Sequence, residues 1–466
     1  MSVRSLVAAG FAASATLASP NPGWRKTVTE TCTETLVQTS TETSVQMMTE
    51  TSTVTQSASC SGSSGSTMTS GGNGSTMSTT MSSSSRTRPS TTLTATATAT
   101  GSGLNDAAED AGKLYFGTAA DIPGTGEAQD PYYMREFNNT HDFGQATPAN
   151  IMKFVYTEPE QGVFNFTGGD YFLNVTEPTK DYIRCHNLVW GSQLPTWITN
   201  PSTNWTNATL SAALHNHVYT TVSYFGDRCY AWDVVNEGLS DNPAGSYMEN
   251  IWYNVIGPEY IPVAFAAAQQ AVEDNDLSVK LYYNDYNIEY LGNKSLAAQD
   301  IVTELKGRGI QIDGVGLESH FIAGKLLVKT DCSVASRVLT FHEGSTPSQS
   351  AQEDNMRAFV DLGVDVAVTE LDVRLNLPPN ATTEAQQKLD YYNTVAACVA
   401  VDGCVGITVW DFVDTYSWIP GTFPGQGYGD LFLQPDGADT PLLKKAAYDG
   451  CLEALEGDDY NDPLST

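Results

Sequence analysis

The chain predicts an α/β fold, a closed (β/α)8 TIM barrel preceded by a signal peptide and a disordered Ser/Thr-rich stalk. Three observations predict it. From Leu104 onward, short apolar runs rich in β-branched and aromatic residues alternate with helical stretches, the pattern of parallel strands covered on both faces. Eight such runs fall within roughly 350 residues, enough for one barrel with its loops. No glycine-rich phosphate loop follows any of them, which argues against an open nucleotide-binding sheet.

The N-terminus sets the compartment. Arg4 precedes an apolar run, Leu6 to Ala18, closed by the small residues Ala15 and Ala18. That order predicts a secretory signal peptide over residues 1–18 and an extracellular protein. The run is too short to span a bilayer, and no later stretch reaches the roughly 18 apolar residues that a membrane helix needs. Eight cysteines and eight N-glycosylation sequons, at Asn73, Asn138, Asn165, Asn174, Asn204, Asn207, Asn293 and Asn380, suit a secreted glycoprotein.

Residues 19–103 read as a low-complexity stalk or linker. Four Thr-Glu-Thr triplets start at Thr29, Thr33, Thr41 and Thr49, and Ser/Thr/Gly runs follow up to the repeat at Thr94–Thr100. Apolar residues are too few there to offset the entropy of ordering the backbone. Between Thr27 and Gly103 there is no aromatic residue to build a sugar platform, so a spacer, with cell-wall association as its use, is expected and a second folded module is not.

Within 104–456, strands are expected at Leu114–Ala119, Asn150–Tyr156, Tyr182–Trp190, Tyr230–Asn236, Lys280–Asn284, Gly314–His320, Val364–Leu371 and Gly406–Trp410. Helices are expected at Ile261–Glu273, Leu296–Arg308, Gln349–Leu362 and Glu384–Val401, and a disordered tail over 457–466. Among the cysteines, Cys32 and Cys60 could tie a small loop within the stalk or pair with another chain, Cys398 and Cys404 are placed to close a short loop, and Cys185 and Cys229 begin neighbouring strands and could pair; Cys332 with Cys451 is then left over.

With 54 acidic against 23 basic residues the net charge is −31, and no Lys/Arg cluster interrupts it. Nucleic acid and anionic membranes are therefore poor partners. The six histidines do not cluster with thiols or carboxylates at ligand spacings, so neither metal nor cofactor is expected. A neutral substrate, or one whose binding does not depend on charge steering, suits this field better.

Reactive groups of such a barrel sit at the C-terminal ends of its strands. Those ends carry Asn150 and Lys153, then Trp190 and Gln193, then Asn236 and Glu237, then Glu318 and His320, then Glu370 and Asp372, then Trp410 with Trp418 beyond it. Indole faces for sugar rings, amides for hydroxyls and two acids for a glycosidic bond meet at one mouth. An Asp372–His320–Glu370 chain would keep Glu370 ionised as a nucleophile. Glu237, in an aromatic setting, is expected to hold its proton and serve as general acid. Opposite strands of the barrel could place the two carboxyls about 5–5.5 Å apart, the separation of retaining enzymes.

The stretches Phe116-Gly117-Thr118-Ala119, Asn150-Ile151-Met152-Lys153, His186-Asn187-Leu188-Val189-Trp190, Trp232-Asp233-Val234-Val235-Asn236-Glu237 and Thr369-Glu370-Leu371-Asp372 resemble family 10 of the glycoside hydrolases, the retaining endo-β-1,4-xylanases, from Leu114 to about Tyr448. The resemblance implies Glu237 as acid/base and Glu370 as nucleophile, Asn236 on the 2-hydroxyl of the sugar being cleaved, and His320 bonded to Glu370. It also implies Asn150 and Lys153 in the next sugar site, with Trp410 and Trp418 as a stacking wall, and a monomer acting on a β-linked plant cell-wall polysaccharide or oligosaccharide. Three positions depart from the family: Ala149 where it usually has Glu, Gly191 where it has His, and Glu318 where it has Gln. The first two changes delete sugar contacts and open volume; the third adds a like charge beside the acids. Two other outcomes therefore stand beside xylan cleavage: a related β-glycosidase acting on another plant glycoside such as a saponin, and a carbohydrate-binding protein that has lost turnover.

Overall fold

A computed structural model describes residues 103–200, 202–323 and 346–464. The expected signal peptide and stalk, with Cys32, Cys60 and also Cys332, lie outside these residues. Eight parallel strands close on themselves: β1 (Tyr115–Ala120), β2 (Gln145–Pro148), β3 (Tyr182–Cys185), β4 (Ala231–Asn236), β5 (Lys280–Asp285), β6 (Gly314–Leu317), β7 (Asp365–Asn376) and β8 (Cys404–Val409). Each pairs with the next and β8 returns to β1, with Tyr115 opposite Gly406. Every position of β1 and β4 is buried, because helices cover the outside while side chains fill the lumen.

The four expected helices form, and a further long one, Asn207–Phe225, stands where none was expected. Thr206 and Thr209 make a reciprocal capping box at the start of Asn207–Phe225, and Asn380 with Thr383 does the same for Ala381–Val399. The three other expected helices run over Tyr260–Asn275, Asn293–Gly307 and Gln349–Val360.

Five expectations are corrected. The third strand stops at Cys185 rather than Trp190, and the seventh runs on to Asn376 rather than ending at Leu371. The second strand is Gln145–Pro148, and Asn150–Tyr156 is instead a turn leading into the short helix Phe154–Thr157. Polarity hid the true strand: Gln145 Nε2 donates to Thr147 Oγ1 at 2.8 Å, and Thr408 Oγ1 donates to Gln145 Oε1 at 2.8 Å. Such lumen bonds satisfy groups that a sequence pattern scores as surface. The same crowding requires Gly117, where a Cβ would come within 2.0 Å of Gln145 Oε1. The sixth strand stops at Leu317, since Ser319 turns left-handed (φ 64°) before His320–Ile322 resumes as a separate strand. That segment pairs with the upper half of β7, and His320 stands opposite Asp372.

Finally, the tail is packed as far as Asn461. Tyr460 Oη donates to Ala385 O at 3.0 Å, and Lys388 Nζ donates to Asn461 O at 2.8 Å.

Two disulfides are present among the described residues, Cys185–Cys229 and Cys398–Cys404. The first ties the end of β3 to the segment entering β4 across 44 residues, a loop whose closure stabilises by about 4 kcal/mol in the chain-entropy picture. Cys451 is buried in the helix Ala446–Glu456.

Candidate active site

The C-terminal ends of the strands surround a cleft of about 810 Å³. Asn150, Lys153, Trp190, Gln193, Asn236, Glu237, Glu318, His320, Glu370, Trp410 and Trp418 all line it; Asp372 lies behind His320. Three residues that line it, Gln193, Glu237 and Asn287, and two next to lining residues, Ser319 and Asp411, have left-handed backbones without being glycine. Strain of this kind persists where the surrounding structure over-determines it, as at a site built to aim side chains.

Glu370 is only 5 % exposed. His320 Nε2 lies 3.2 Å from Glu370 Oε2, and its Nδ1 lies 2.7 Å from Asp372 Oδ2. Trp418 Nε1 donates to the same Asp372 oxygen at 2.8 Å, which fixes the indole against the histidine. Burial opposes charge on His320, but Asp372 and Glu370 outweigh it and push the imidazole up to about 10. Burial likewise pulls Glu370 upward; the His320 bond and the neighbouring His186 and Lys153 overcome that pull and hold its carboxyl below the usual range.

Beneath Glu370 runs a column of which His186 and Asp233 appear in the sequence only as part of matching stretches, and Arg184 only within the expected third strand. His186 Nδ1 lies 3.0 Å from Asp233 Oδ2, and Arg184 pairs with the other oxygen of Asp233 on the barrel floor. The Arg184 guanidinium lies 4.5 Å from the centre of the Tyr282 ring.

Glu237 has the opposite setting. Burial, then the Asp285 charge, push its carboxyl up to about 7, against the Trp190 indole and Lys294. An amide relay links the two acids. Asn236 Nδ2 lies 3.4 Å from Glu237 Oε1, Asn284 Nδ2 donates to Asn236 Oδ1 at 2.7 Å, and the same nitrogen lies 2.8 Å from Glu370 Oε1. Thr369 Oγ1 donates to Asn284 Oδ1 at 2.7 Å and so turns the amide nitrogen toward the acids. Sequence reasoning missed Asn284; its place at the end of β5, level with Asn236 on β4, was the available signal.

Glu318 is the third carboxyl of the group. Its Oε1 lies 3.2 Å from the same Asn284 nitrogen, and its Oε2 lies 4.0 Å from His320 Nε2. Burial, then Glu370 and Glu237, push its carboxyl well above its usual value. Glu318, His320 and Glu370 bring ligand-type atoms within 4.8 Å of one another. Both nitrogens of His320 are engaged with carboxylates, which makes the group a proton-sharing cluster.

On the next side of the cleft, Asn150 is the hub. It donates to Asp121 at 3.0 Å and accepts from Lys153 at 3.1 Å and Gln193 at 3.0 Å, while Lys153 sits 4.7 Å from the centre of the Trp190 ring. Trp410 stands edge-on to His186 at 5.2 Å. Further lining groups outside the sequence reading are Tyr286, Asn287, Arg374, Thr422 and Phe423. Ala149 lines the cleft, whereas a side chain at Gly191 would point at Asn250, with the Cβ atoms 3.0 Å apart. Asn250 thus fills the space expected to be open.

Two buried carboxyls of opposite protonation, joined by an amide relay under indole walls, define a glycoside hydrolase site. Comparison with known proteins agrees. The model of glycosyl hydrolase family 10 matches residues 103–454. An endo-1,4-beta-xylanase D of Talaromyces funiculosus is 49% identical over 353 residues, covering 76% of this chain and 77% of that protein. Among solved structures, a GH10 xylanase from Bispora sp. MEY-1 with xylobiose is 66% identical, with a TM-score of 0.70 over 76% of this chain and 99% of that one. An endo-1,4-beta-xylanase XylE of Penicillium canescens is 46% identical, with a TM-score of 0.69 over 78% and 99%. The chain belongs to glycosyl hydrolase family 10.

Proposed function

We propose that this protein cleaves β-1,4-xylosidic bonds in xylan or xylo-oligosaccharides with retention, Glu370 acting as nucleophile and Glu237 as acid/base. The observation that carries the assignment is the divergence of the two acids: Glu370 is held ionised by His320, whereas Glu237 keeps a proton to about pH 7. Glu370 attacks the anomeric carbon while Glu237 passes its proton to the leaving oxygen, giving a glycosyl ester. Glu237, now ionised, takes a proton from water, which attacks the same carbon and releases Glu370. Asn236, its carbonyl occupied by Asn284, offers its N–H to the sugar 2-hydroxyl, and Trp410 with Trp418 bounds the ring. Asn150, Lys153 and Gln193 serve the neighbouring sugar.

Xylan as substrate is supported by the relatives' names and by the xylobiose bound to the Bispora enzyme. It is favoured over a bulkier glycoside because Asn250 occupies the volume that Gly191 would have vacated. A catalytic role is favoured over mere binding because every group that holds the two acids in opposite states is in place. The signal-like N-terminus and the two disulfides support action outside the cell, with the Ser/Thr-rich block as a spacer.

Azide rescue tests the roles. Glu370→Ala should be inactive and should yield the α-glycosyl azide when azide is added; Glu237→Ala should yield the β-azide from an activated aryl xyloside. Wild-type turnover in Glu370→Ala removes that residue from the mechanism.

A further inference from the structure

Behind Glu237 lies an ion pair that the reaction itself does not use. Asp285, the last residue of β5, is fully buried, and so nearly is Lys294 on the helix Asn293–Gly307. Lys294 Nζ is 3.0 Å from Asp285 Oδ1 and 3.3 Å from Asp241 Oδ1, and it sits 3.4 Å from the centre of the Tyr286 ring. Asp241 belongs to the hairpin Leu239–Asp241/Ala244–Tyr247, which begins two residues beyond Glu237. The other oxygen of Asp285 accepts from Leu239 N at 3.1 Å and from Tyr283 Oη at 2.6 Å. The chain between Glu237 and this bond is tight. Glu237 is left-handed (φ 51°), its N–H donates to Asn284 O at 2.9 Å, and a Cβ on Gly238 would stand 3.0 Å from two tyrosine hydroxyls.

We propose that Asp285 and Lys294, with Asp241 as outer partner, are positioning residues for Glu237: they clamp the turn that aims its carboxyl and set the charge against which it gives up its proton. The proposal rests on the reading of Glu237 as acid/base. The groups facing that carboxyl are Glu370 and Glu318 across the cleft, Lys153 beyond β2, Tyr286 beside it, and the pair behind it. His320 stands between Glu370 and Glu318. After burial, Asp285 is the largest influence raising Glu237, and Lys294 works in the opposite sense. Opposite charges 3.0 Å apart, one of them bonded to the turn itself, distinguish tuning from mere support.

The experiment compares the basic limb of kcat/KM against pH for xylotriose hydrolysis in four variants. Asp285→Asn keeps an acceptor for Leu239 but removes the negative charge, and should lower the limb by about 1 pH unit; Lys294→Met should raise it by about as much. Asp241→Asn, at a partly exposed position that tolerates change, should lower it by less, and decides the matter if the buried variants do not fold. Glu237→Gln tests the underlying reading separately, since it should remove the limb altogether. A limb that persists in Glu237→Gln refutes that reading. A limb that vanishes there, yet stays put or moves against the predicted direction in the folded charge variants, overturns the positioning role alone.

Discussion

Replacing Asn284 by Ala removes the joint of the amide relay without touching either acid. Its nitrogen donates to Glu370 Oε1 at 2.8 Å and to Asn236 Oδ1 at 2.7 Å. The first bond has a charged acceptor and is worth roughly 1.5–3 kcal/mol, the second is neutral and worth about 1 kcal/mol. Both hold catalytic groups and neither is a contact assigned to the sugar. Their loss should therefore fall on kcat and leave KM within about twofold. At about 1.4 kcal/mol per tenfold, a combined loss of about 2.5–4 kcal/mol lowers kcat by roughly 10²–10³. Thr369→Val, which only frees the amide to turn, should cost about fivefold, the equivalent of one neutral bond. The assay is steady-state hydrolysis of xylotriose, with thermal melting to confirm folding. A folded Asn284→Ala enzyme with kcat within threefold of the parent would refute the relay.

The remaining expectations concern specificity, pH and domain organisation. Gly191→His should lower kcat/KM on xylo-oligosaccharides, since its Cβ would meet Asn250 at 3.0 Å; Ala149→Glu should raise it by about tenfold for each 1.4 kcal/mol of sugar contact regained. Steady-state kinetics decides both, and an improved Gly191→His enzyme would restore the open-volume reading. Burial raises Glu127, Glu289 and Asp390 to about 7 and also raises Asp411 and Asp430 well above their usual value. The folded state thus favours their protonated forms, and the stability this gives is full below about pH 4 and is lost as pH rises through 7. Melting temperature should fall by several degrees from pH 5 to pH 8; a rise over that range contradicts the assignment. A truncated chain starting at Gly103 should melt cooperatively and keep its kcat on soluble substrate, and loss of the transition would move the domain boundary.

Legibility in the sequence followed polarity. Strands β4, β5 and β8 were readable because their burial is expressed as apolar runs, and the acids at the ends of β4 and β7 were readable with them. Strand β2 was not, because Gln145 and Thr147 satisfy one another inside the lumen. His320 was placed on the right side of the site, but its detachment from β6 depends on one backbone angle at Ser319 that residue type does not encode. Asn284 and Asp285 escaped for a related reason. An Asn-Asp pair reads equally well as a turn, and only the barrel's closure brings it between Asn236 and Glu370. The space beside Gly191 likewise depends on Asn250, 59 positions later in the chain, so no local reading could tell a vacancy from a replacement.

The central claim is that Glu370, and not Glu318 buried beside it, forms the covalent intermediate. The direct measurement is to inactivate the enzyme with a 2,4-dinitrophenyl 2-deoxy-2-fluoro-β-xylobioside and locate the adduct by peptide mass spectrometry. The account predicts one fluoroxylobiosyl group per chain, on Glu370. An adduct on Glu318 would contradict it, as would steady xylan turnover yielding α-configured product with no adduct at all.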